Sequence, residues 1–382
     1  MVDNRNICIA MMGASLNIRG GITSVEKLIL ENSRSPVTFV HLPTFDHGSF
    51  FHNTIVYWKA IGKLCRLILQ EDIDAVHIHF SDRGSTIRKL LPCIIATMFR
   101  CPFILHSHCA VHQEFYASIP PMAREIITAI FRKCALFISL SKSWDVYFTQ
   151  CLKLSQGQHG ILYNPVKIQE KPPDRDDHAL VTFVFLGVLG PYKGANAPIK
   201  KSKTNKTFQM PSQNKGGFDC IQAFGLLPDE LRKKSRMIIA GSGDMQTAND
   251  LITSLQLNEF ISIRQWLDPE KRDELLRESD VFLLPSYNEG LPMSMLEAMA
   301  FGLPVIVTPV GGIPEIVSQG REGLFVQQGR MDEIAHAMEF FILNKEERGN
   351  MGNRARLRVE PLSIEKYMDS LISLYQKAVF AG

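Results

Sequence analysis

The chain has 382 residues, 45% of them hydrophobic and 21% charged, which is the composition of a globular protein. Its 42 Lys and Arg residues against 39 Asp and Glu residues leave a net charge of +3, a balance that argues against a nucleic-acid binder. The chain is longer than a domain with a single hydrophobic core usually is, so two domains are expected. Eight cysteines without a C-x-x-C pair indicate reduced thiols rather than a zinc site or a disulfide framework.

The sequence also carries information about location. The N-terminal residues are polar and lead directly into an apolar segment, so no signal peptide is visible. The longest apolar runs, such as 90–99, reach about half of the length that crosses a bilayer. These features predict a cytoplasmic protein that is soluble or bound peripherally to a membrane surface.

Short apolar strands alternate with helical patterns through the first half of the chain, which is typical of a doubly wound parallel sheet. Ile7–Met12 predicts the first strand, and a loop containing Gly20 and Gly21 follows it. Ser24 is expected just before a helix over Val25–Leu30. Further strands are predicted at Val37–Leu42, Ala75–His79, Phe103–His106, Leu136–Leu140 and Ile161–Asn164.

Four histidines belong to two of these predicted strands. His77 and His79 are two residues apart, so both point to the same face of a sheet. His106 and His108 lie at the carboxyl end of another strand, where histidines can serve as metal ligands or as hydrogen-bond partners for a sugar. A metal is disfavoured because no acidic cluster is nearby. His77 and His79 are therefore interpreted as packing or supporting residues.

The second half begins after a polar, charged segment over 169–178 that predicts a linker. A new alternating series predicts strands at Leu180–Leu186, Met237–Ala240, Ile261–Ile263, Val281–Leu284, Pro304–Thr308 and Gly323–Val326. The last segment, Ser363–Phe380, has apolar residues at helical spacing. The predicted organisation is an N-terminal domain over 1–170, a C-terminal domain over 179–360 and a terminal helix within 361–382.

A lysine-rich stretch interrupts this alternation. Between residues 191 and 218 the chain has no acidic residue and six lysines, namely Lys193, Lys200, Lys201, Lys203, Lys206 and Lys215. Polar residues fill most of the remainder and no hydrophobic period survives. A disordered or mobile insertion over about 195–214 is therefore expected.

The segment after the strand Val281–Leu284 holds two carboxylates in different settings. Glu289 lies in a loop, whereas Glu297 lies in a helix predicted over Met293–Phe301, which begins after Pro292. Loops at the carboxyl ends of parallel strands are where open α/β sheets bind ligands. Ionised carboxylates accept hydrogen bonds from sugar hydroxyls, and amides at a helix start face anions such as a diphosphate. The combination predicts a nucleotide-sugar site.

Residues 289–305 fit the pattern E-G-x-P-x-x-x-x-E-A-x-A-x-G-x-P-V at every fixed position. This segment resembles the retaining glycosyltransferases of family 4, the group 1 enzymes of polysaccharide and lipopolysaccharide biosynthesis. The resemblance implies the α/β GT-B fold, in which two Rossmann-like doubly wound parallel-sheet domains face a cleft. It also implies that the C-terminal helix crosses back to the N-terminal domain.

Roles for individual residues follow from the resemblance. It implies that Glu297 accepts hydrogen bonds from the ribose hydroxyls of the donor and that Glu289 contacts the transferred sugar. In the N-terminal domain it implies that Gly20 and Gly21 form the acceptor-side loop and that His108 is a functional histidine. Backbone groups implied to meet the donor belong to Gly290, Leu291, Met295, Leu296, Gly241, Gly243 and Gly312.

The lysine-rich insertion divides a motif that the family usually has as G-R-L-x-x-x-K-G. Lys193 keeps the family's spacing from the preceding strand, and Lys215 keeps its spacing to the following helix. The resemblance implies that one of them binds the diphosphate, with a slight preference for Lys193. Val188 stands where the family usually has an arginine, so a bidentate cation is missing. Either another cation substitutes or activity is reduced.

The helical stretches Thr54–Gln70 and Ala123–Cys134 mix apolar residues with cations. They fit either contact with an anionic membrane surface or packing on a sheet with solvated cations. The sequence as a whole predicts a cytoplasmic hexosyltransferase that needs no metal. Its predicted donor is a nucleoside diphosphate sugar, and the resemblance implies a UDP-sugar. Its predicted acceptor is a glycan or a lipid-linked molecule. A nucleotide-sugar epimerase of the same architecture and a non-catalytic nucleotide-sugar binder remain alternatives.

Overall fold

The structure is a computed structural model that describes residues 5–171, 173, 175, 179–190 and 215–380. The chain divides into two compact units. The first comprises residues 1–165, 290–293 and 362–382, and the second comprises residues 166–289 and 294–361. The insertion predicted over about 195–214, together with Lys193, lies outside the described residues.

The strands, in chain order, are β1 (Ile7–Gly13), β2 (Val37–Pro43), β3 (Ala75–Phe80), β4 (Phe103–Ser107), β5 (Leu136–Ser139), β6 (His159–Ile161), β7 (Val181–Leu189), β8 (Ser235–Gly243), β9 (Ile261–Gln265), β10 (Val281–Leu284), β11 (Val305–Val307) and β12 (Gly323–Phe325). The helices, in the same order, are α1 (Gly21–Glu31), α2 (Phe50–Leu69), α3 (Gly84–Met98), α4 (His112–Ser118), α5 (Pro121–Phe131), α6 (Lys142–Leu152), α7 (Gly217–Leu226), α8 (Asp229–Arg232), α9 (Met245–Ser254), α10 (Pro269–Arg277), α11 (Met293–Ala300), α12 (Ile313–Ile316), α13 (Met331–Leu343), α14 (Lys345–Val359) and α15 (Ile364–Phe380). Over the described residues, none of them combines the length with the low polarity that a bilayer-spanning segment needs.

Six parallel strands form the sheet of the first unit, in the order β2-β1-β3-β4-β5-β6. Helices cover both faces, which is why all six residues of the central strand β3 are buried. One face forms an apolar core with α2, α3, α5 and α6. The other forms a second apolar core with α1 and α15.

The C-terminal helix α15 is part of the first unit. Tyr367, Leu371 and Tyr375 recur every four residues and form its buried stripe. They share one apolar core with Ile9 and Met11 of β1. The expectation that the terminal helix returns to the N-terminal domain is therefore confirmed.

The second unit also has a parallel six-stranded sheet, in the order β12-β11-β10-β7-β8-β9. Strands β7 and β10 are adjacent, and the strands that follow each of them in sequence are added on opposite sides. The boundary between β7 and β10 is therefore the switch point of the sheet. The loops after these two strands diverge there and leave a crevice at the carboxyl ends, where doubly wound sheets bind ligands. The two predicted doubly wound sheets are thus both observed.

Two boundary predictions in the first unit need correction. Helix α1 begins at Gly21, so Ser24 lies inside the helix rather than before it, and its hydroxyl donates to the carbonyl oxygen of Gly20. The strand predicted over Ile161–Asn164 is instead β6, which ends at Ile161. Asn164 has left the sheet, and its side-chain amide donates to the carbonyl oxygen of Leu291 over 2.7 Å.

A third correction concerns Gly241 and Gly243, which follow the strand predicted over Met237–Ala240. Both lie inside β8, which is longer than predicted because it pairs with β7 along its whole length. A Cβ atom on Gly241 would lie 1.7 Å from the carbonyl oxygen of Gly187 in β7, and one on Gly243 would lie 2.1 Å from that of Leu189. Close approach of the two strands therefore explains both glycines.

Candidate functional site

The centre of the candidate site is an ion pair in the second unit. Glu289 follows β10, and its Oε1 atom accepts hydrogen bonds from the Lys215 ammonium over 2.7 Å and from the Ser286 hydroxyl over 2.8 Å. Glu289 is only 6% exposed. A carboxylate at this depth is costly unless a cation and hydrogen-bond donors compensate for its lost hydration. Two candidates from the sequence, Glu289 and Lys215, therefore contact each other directly at the switch point of the sheet.

The backbone at Gly216 explains why Lys215 reaches this position. Gly216 caps α7 with φ of +78°, in the left-handed region that favours glycine. A Cβ atom there would lie 2.3 Å from the carbonyl oxygen of Pro285, which opens the loop after β10. Only glycine allows the start of α7 to approach that loop so closely.

Further hydrogen bonds hold the loop that carries Glu289. The hydroxyl of Thr308 donates to the carbonyl oxygen of Ser286, and the side-chain amide of Gln328 donates to that of Tyr287 over 2.8 Å. The phenol of Tyr287 donates to Asp219 of α7 over 3.1 Å, and burial raises the pKa of the Asp219 carboxyl. No local pattern in the sequence indicated these supports, because each depends on a tertiary partner.

Glu297, the second predicted carboxylate, lies in α11 and is paired as well. Arg272 of α10 donates from Nη1 to Glu297 Oε1 over 2.8 Å and also contacts the neighbouring Asp273. Burial raises the pKa of Glu297 to about 7, Arg272 opposes that shift and Asp273 adds to it. A carboxylate can accept about four hydrogen bonds, so pairing with Arg272 leaves capacity for sugar hydroxyls.

The predicted backbone contacts are placed as follows. Met295 and Leu296 lie in the first turn of α11, with their side chains fully buried. Gly312 caps α12, whose first amide, that of Ile313, already donates to the carbonyl oxygen of Val310. A donor contact through Gly312 itself stays a prediction.

Gly290 and Leu291 group with the first unit. Within that unit, a Cβ atom on Gly290 would lie 2.8 Å from the carbonyl oxygen of Cys109. Glycine is therefore required at this position by a close backbone approach. A donor contact through the Gly290 or Leu291 amide remains a prediction.

The first unit places the predicted acceptor-side residues around the carboxyl ends of β1 and β4. Gly20 caps α1, and nothing lies within 4 Å of the position that its Cβ would occupy, so packing does not demand a glycine there. His108 follows β4, and its Nε2 atom lies 2.9 Å from Nδ1 of His79. Burial lowers the pKa of His108 to about 3, so the ring is neutral near neutral pH.

Three other histidines gather beside His108, and two of them belong to the neighbouring strand β3. His77, His79 and His106 are almost fully buried, and one ring nitrogen of each lies within 4.8 Å of the others. The parallel register places His79 opposite His106. The hydroxyl of Tyr375 lies 2.6 Å from Nδ1 of His77. The sequence could show that His77 and His79 share a face, but not which strand lies beside them.

A buried lysine and a buried glutamate in the first unit were also missed. Lys89 donates to the carbonyl oxygen of Met12 and to the hydroxyl of Thr44, over 3.1 and 2.7 Å. Burial lowers the pKa of Lys89 to about 7, and Glu26 opposes this shift. Both residues lie in ordinary amphipathic helical patterns, which gave no reason to single them out.

Part of the chain is similar in sequence to a protein family and to individual known proteins. Residues 210–358 match the family model described as glycosyl transferases group 1. A stretch of 162 residues is 33% identical to N-acetyl-alpha-D-glucosaminyl L-malate synthase of Bacillus anthracis and covers 41% of each chain. Another, of 129 residues, is 32% identical to D-inositol 3-phosphate glycosyltransferase of Rhodococcus erythropolis and covers 34% of this chain and 29% of that protein. The chain thus spans less than half of the length of each of these relatives.

Solved structures resemble the chain over nearly its whole length. Anabaena HepE in complex with UDP and glucose matches with a TM-score of 0.74 and 15% identity, over 97% of this chain and 99% of that one. Sucrose-phosphate synthase from Thermosynechococcus elongatus matches with a TM-score of 0.73 and 16% identity, over 99% and 100%. At such identities the likeness concerns the fold, and it confirms the predicted GT-B class.

Fold and site residues together define a glycosyltransferase-like α/β protein. The match to the group 1 glycosyl transferases covers the segment 210–358, which contains Lys215, Glu289 and Glu297. The resemblance predicted from the sequence is thereby confirmed over this segment, and family 4 membership is consistent with these matches.

The close approach at Gly216 can be tested with Gly216→Ala. Its matched control is Gly320→Ala, because Gly320 has a similar φ of +74° but nothing within 4 Å of a Cβ atom. Both variants bear the left-handed backbone cost, but only Gly216→Ala forces Pro285 away. We expect Gly216→Ala to lower the free energy of unfolding by about 1–3 kcal/mol more than the control in urea titrations. Equal losses would contradict the steric account.

Proposed function

We propose that the protein is a retaining glycosyltransferase that moves a hexose-type sugar from a nucleoside diphosphate sugar to an acceptor hydroxyl. The observation that carries the proposal is the ion pair of the half-buried Lys215 with the buried Glu289 at the switch point between β7 and β10. The Lys215 ammonium has three donor hydrogens, so it can hold Glu289 and still offer hydrogen bonds to a phosphate. Lys193, the other candidate for this role, lies outside the described residues.

In this mechanism the bond between the anomeric carbon and the diphosphate oxygen breaks, and negative charge grows on the leaving oxygens. Lys215 and the first amides of α11 stabilise that charge, which is why the step needs no metal. The acceptor oxygen bonds to the anomeric carbon on the face that the diphosphate leaves, and its proton passes to a phosphate oxygen. Glu289 is assigned to a contact with the transferred sugar, and Lys215 and Ser286 hold its Oε1 atom in place.

Glu297 is assigned to the donor ribose. Its carboxylate would accept hydrogen bonds from the ribose hydroxyls at the lone pairs that Arg272 leaves open. Gly241 and Gly243 remain proposed neighbours of the nucleotide, although strand packing already explains them. In the first unit, Gly20 and Gly21 are assigned to the acceptor. His108 is assigned to the acceptor as a neutral hydrogen-bond partner, since His79 engages only one of its ring nitrogens.

The kind of donor and acceptor is inferred from structural neighbours. HepE was solved with UDP-glucose, which supports a UDP-sugar as the donor. Another neighbour is the lipopolysaccharide outer core galactosyltransferase WaaB, with a TM-score of 0.65. It supports a glycan or lipid-linked acceptor and a role in cell-surface polysaccharide synthesis on the cytoplasmic side of a membrane.

Product analysis tests the proposed transfer most simply. Sugar nucleotides that raise the melting temperature would be incubated with and without a panel of lipid-linked and oligosaccharide acceptors. We expect an acceptor-dependent product whose anomeric configuration, read by NMR, equals that of the donor. Conversion of the sugar nucleotide without acceptor would identify an epimerase. Binding without turnover would identify a non-catalytic binder, the alternative that Val188 favours.

Replacing Lys215 by Met should lower the turnover number by about 100- to 1000-fold, because the leaving diphosphate loses its cation. The matched control is Lys271→Met, since Lys271 is an exposed lysine of the same unit. Melting temperatures of both variants would show whether Lys215→Met is folded. A folded Lys215→Met enzyme with unchanged turnover would contradict the assignment.

Donor binding should weaken as the pH falls through about 7, the pKa of Glu297. Below that pH the carboxyl group is protonated, so it loses its charge and half of its capacity to accept hydrogen bonds. Between about pH 8 and about pH 6 the ionised fraction falls roughly tenfold, and the affinity for an intact sugar nucleotide should fall with it. An intact sugar nucleotide has no terminal phosphate to titrate in this range. Glu297→Gln should bind weakly at both pH values. A flat profile for the unmodified protein would contradict the role of Glu297.

Membrane contact is part of the proposal, and the first unit offers a surface for it. Helices α2, α3 and α5 are neighbours on one face of the sheet and expose large apolar side chains to solvent. These exposed residues are Phe50, Phe51, Ile55, Trp58, Ile87, Ile94, Met98, Met122 and Ile126. Exposed Lys59, Lys63 and Arg66 of α2 add positive charge. Apolar side chains beside cations fit an anionic bilayer.

This surface predicts binding to vesicles that contain phosphatidylglycerol, with weaker binding at high salt. Phe51→Ser combined with Trp58→Ser should reduce co-flotation with such vesicles. Leu226→Ser is the control, because Leu226 is a similarly exposed apolar residue of the second unit. Equal flotation of the double variant and the control would remove α2 from the proposed membrane contact.

A further inference from the structure

The first unit contains a cluster of imidazoles that the proposed transfer reaction does not use. It consists of His77 and His79 on β3 and His106 on β4, and it lies on the face of the sheet that α15 covers. Their ring centroids are 4.2 to 5.3 Å apart. His77 and His106 are fully buried and His79 is 2% exposed.

Each of these histidines has a ring nitrogen without a hydrogen-bond partner among the described residues. The nitrogens are Nε2 of His77, Nε2 of His79 and both nitrogens of His106. Buried polar atoms normally have partners, and leaving one without a partner costs about 1–3 kcal/mol. One ring nitrogen of each histidine also lies within 4.8 Å of the others, and a single cation can take a lone pair from each of three such rings.

The other ring nitrogens of the two β3 histidines are held by neighbouring groups. Nδ1 of His77 lies 2.6 Å from the hydroxyl of Tyr375 in α15, and Nδ1 of His79 lies 2.9 Å from Nε2 of His108. Histidines that bind metals show this arrangement, in which an outer group fixes one nitrogen and directs the other towards the ion.

We propose that His77, His79 and His106 bind a single divalent transition-metal ion, with zinc as the best match for three imidazoles. Zinc takes nitrogen ligands at about 2.0–2.1 Å in tetrahedral geometry, which places the ligand nitrogens about 3.4 Å apart. The three rings would close towards the ion by about 1 Å, and a water or a fourth protein group completes the tetrahedron. The ion joins β3 to β4 in the core that α15 covers, and the site is separate from the diphosphate site of the second unit.

Cysteine spacing gave no indication of this site, and the absence of acidic residues had argued against it. Both arguments miss a site made of imidazoles alone. Three histidines suffice for zinc when a water occupies the fourth position. The alternation of β3 and its register with β4 bring the three rings together.

The test uses the full-length, untagged chain, freed of metal by a chelator and then titrated with zinc. We expect one zinc ion per chain, a higher melting temperature with zinc, and an X-ray absorption spectrum with nitrogen ligands at about 2.0–2.1 Å. Sulfur ligands at about 2.3 Å would show binding by cysteines and would overturn the proposal. A chain that takes up no stoichiometric zinc would overturn it as well.

Variants locate the ion. His106→Asn should abolish stoichiometric binding, and Tyr375→Phe, which removes only the outer hydroxyl, should weaken it by about 10- to 100-fold. The matched control is His112→Asn: His112 is also buried, has an unpartnered Nε2 among the described residues, and lies outside the cluster. It should bind zinc as the unmodified chain does. Unchanged binding by His106→Asn would contradict the proposal, and if that variant does not fold, the absorption spectrum of the unmodified chain decides.

Discussion

The candidate site depends on one contact between charges, the ion pair of the half-buried Lys215 with the buried Glu289. The two residues are 74 positions apart in sequence, and the contact forms because β7 and β10 are neighbours at the switch point of the second sheet. Gly216 permits the approach, and Ser286 completes the coordination of the carboxylate. The pair keeps a cation beside the crevice in which a doubly wound sheet binds phosphate-bearing ligands. The pair therefore links the position of this cation to the packing of the loop after β10.

Local patterns in the sequence were enough to predict the fold class. Apolar runs bounded by loops located β10 residue by residue and most other strands to within a few residues, because burial on both faces of a parallel sheet leaves a continuous apolar signal. Errors arose where strand ends depend on a neighbour. Gly241 and Gly243 look like a turn in isolation, but pairing with β7 keeps them in β8.

The site was predictable only in part, for a related reason. The pattern around Glu289 and Glu297 is contiguous, so it could be recognised in the chain. The partners of these carboxylates, Ser286, Lys215 and Arg272, are set by tertiary contacts, and Arg272 carried no signal at all. The histidine cluster shows the same limit, because the sequence reveals which residues share a face of a strand but not which strands are adjacent.

The central claim is that the second unit holds a diphosphate with Lys215 and a ribose with Glu297. A crystal structure of the chain with a bound sugar nucleotide tests it most directly. The account predicts a phosphate oxygen within about 3 Å of the Lys215 ammonium and ribose hydroxyls at a similar distance from the Glu297 carboxylate. A nucleotide bound away from the loop after β10 and from α11 would contradict it.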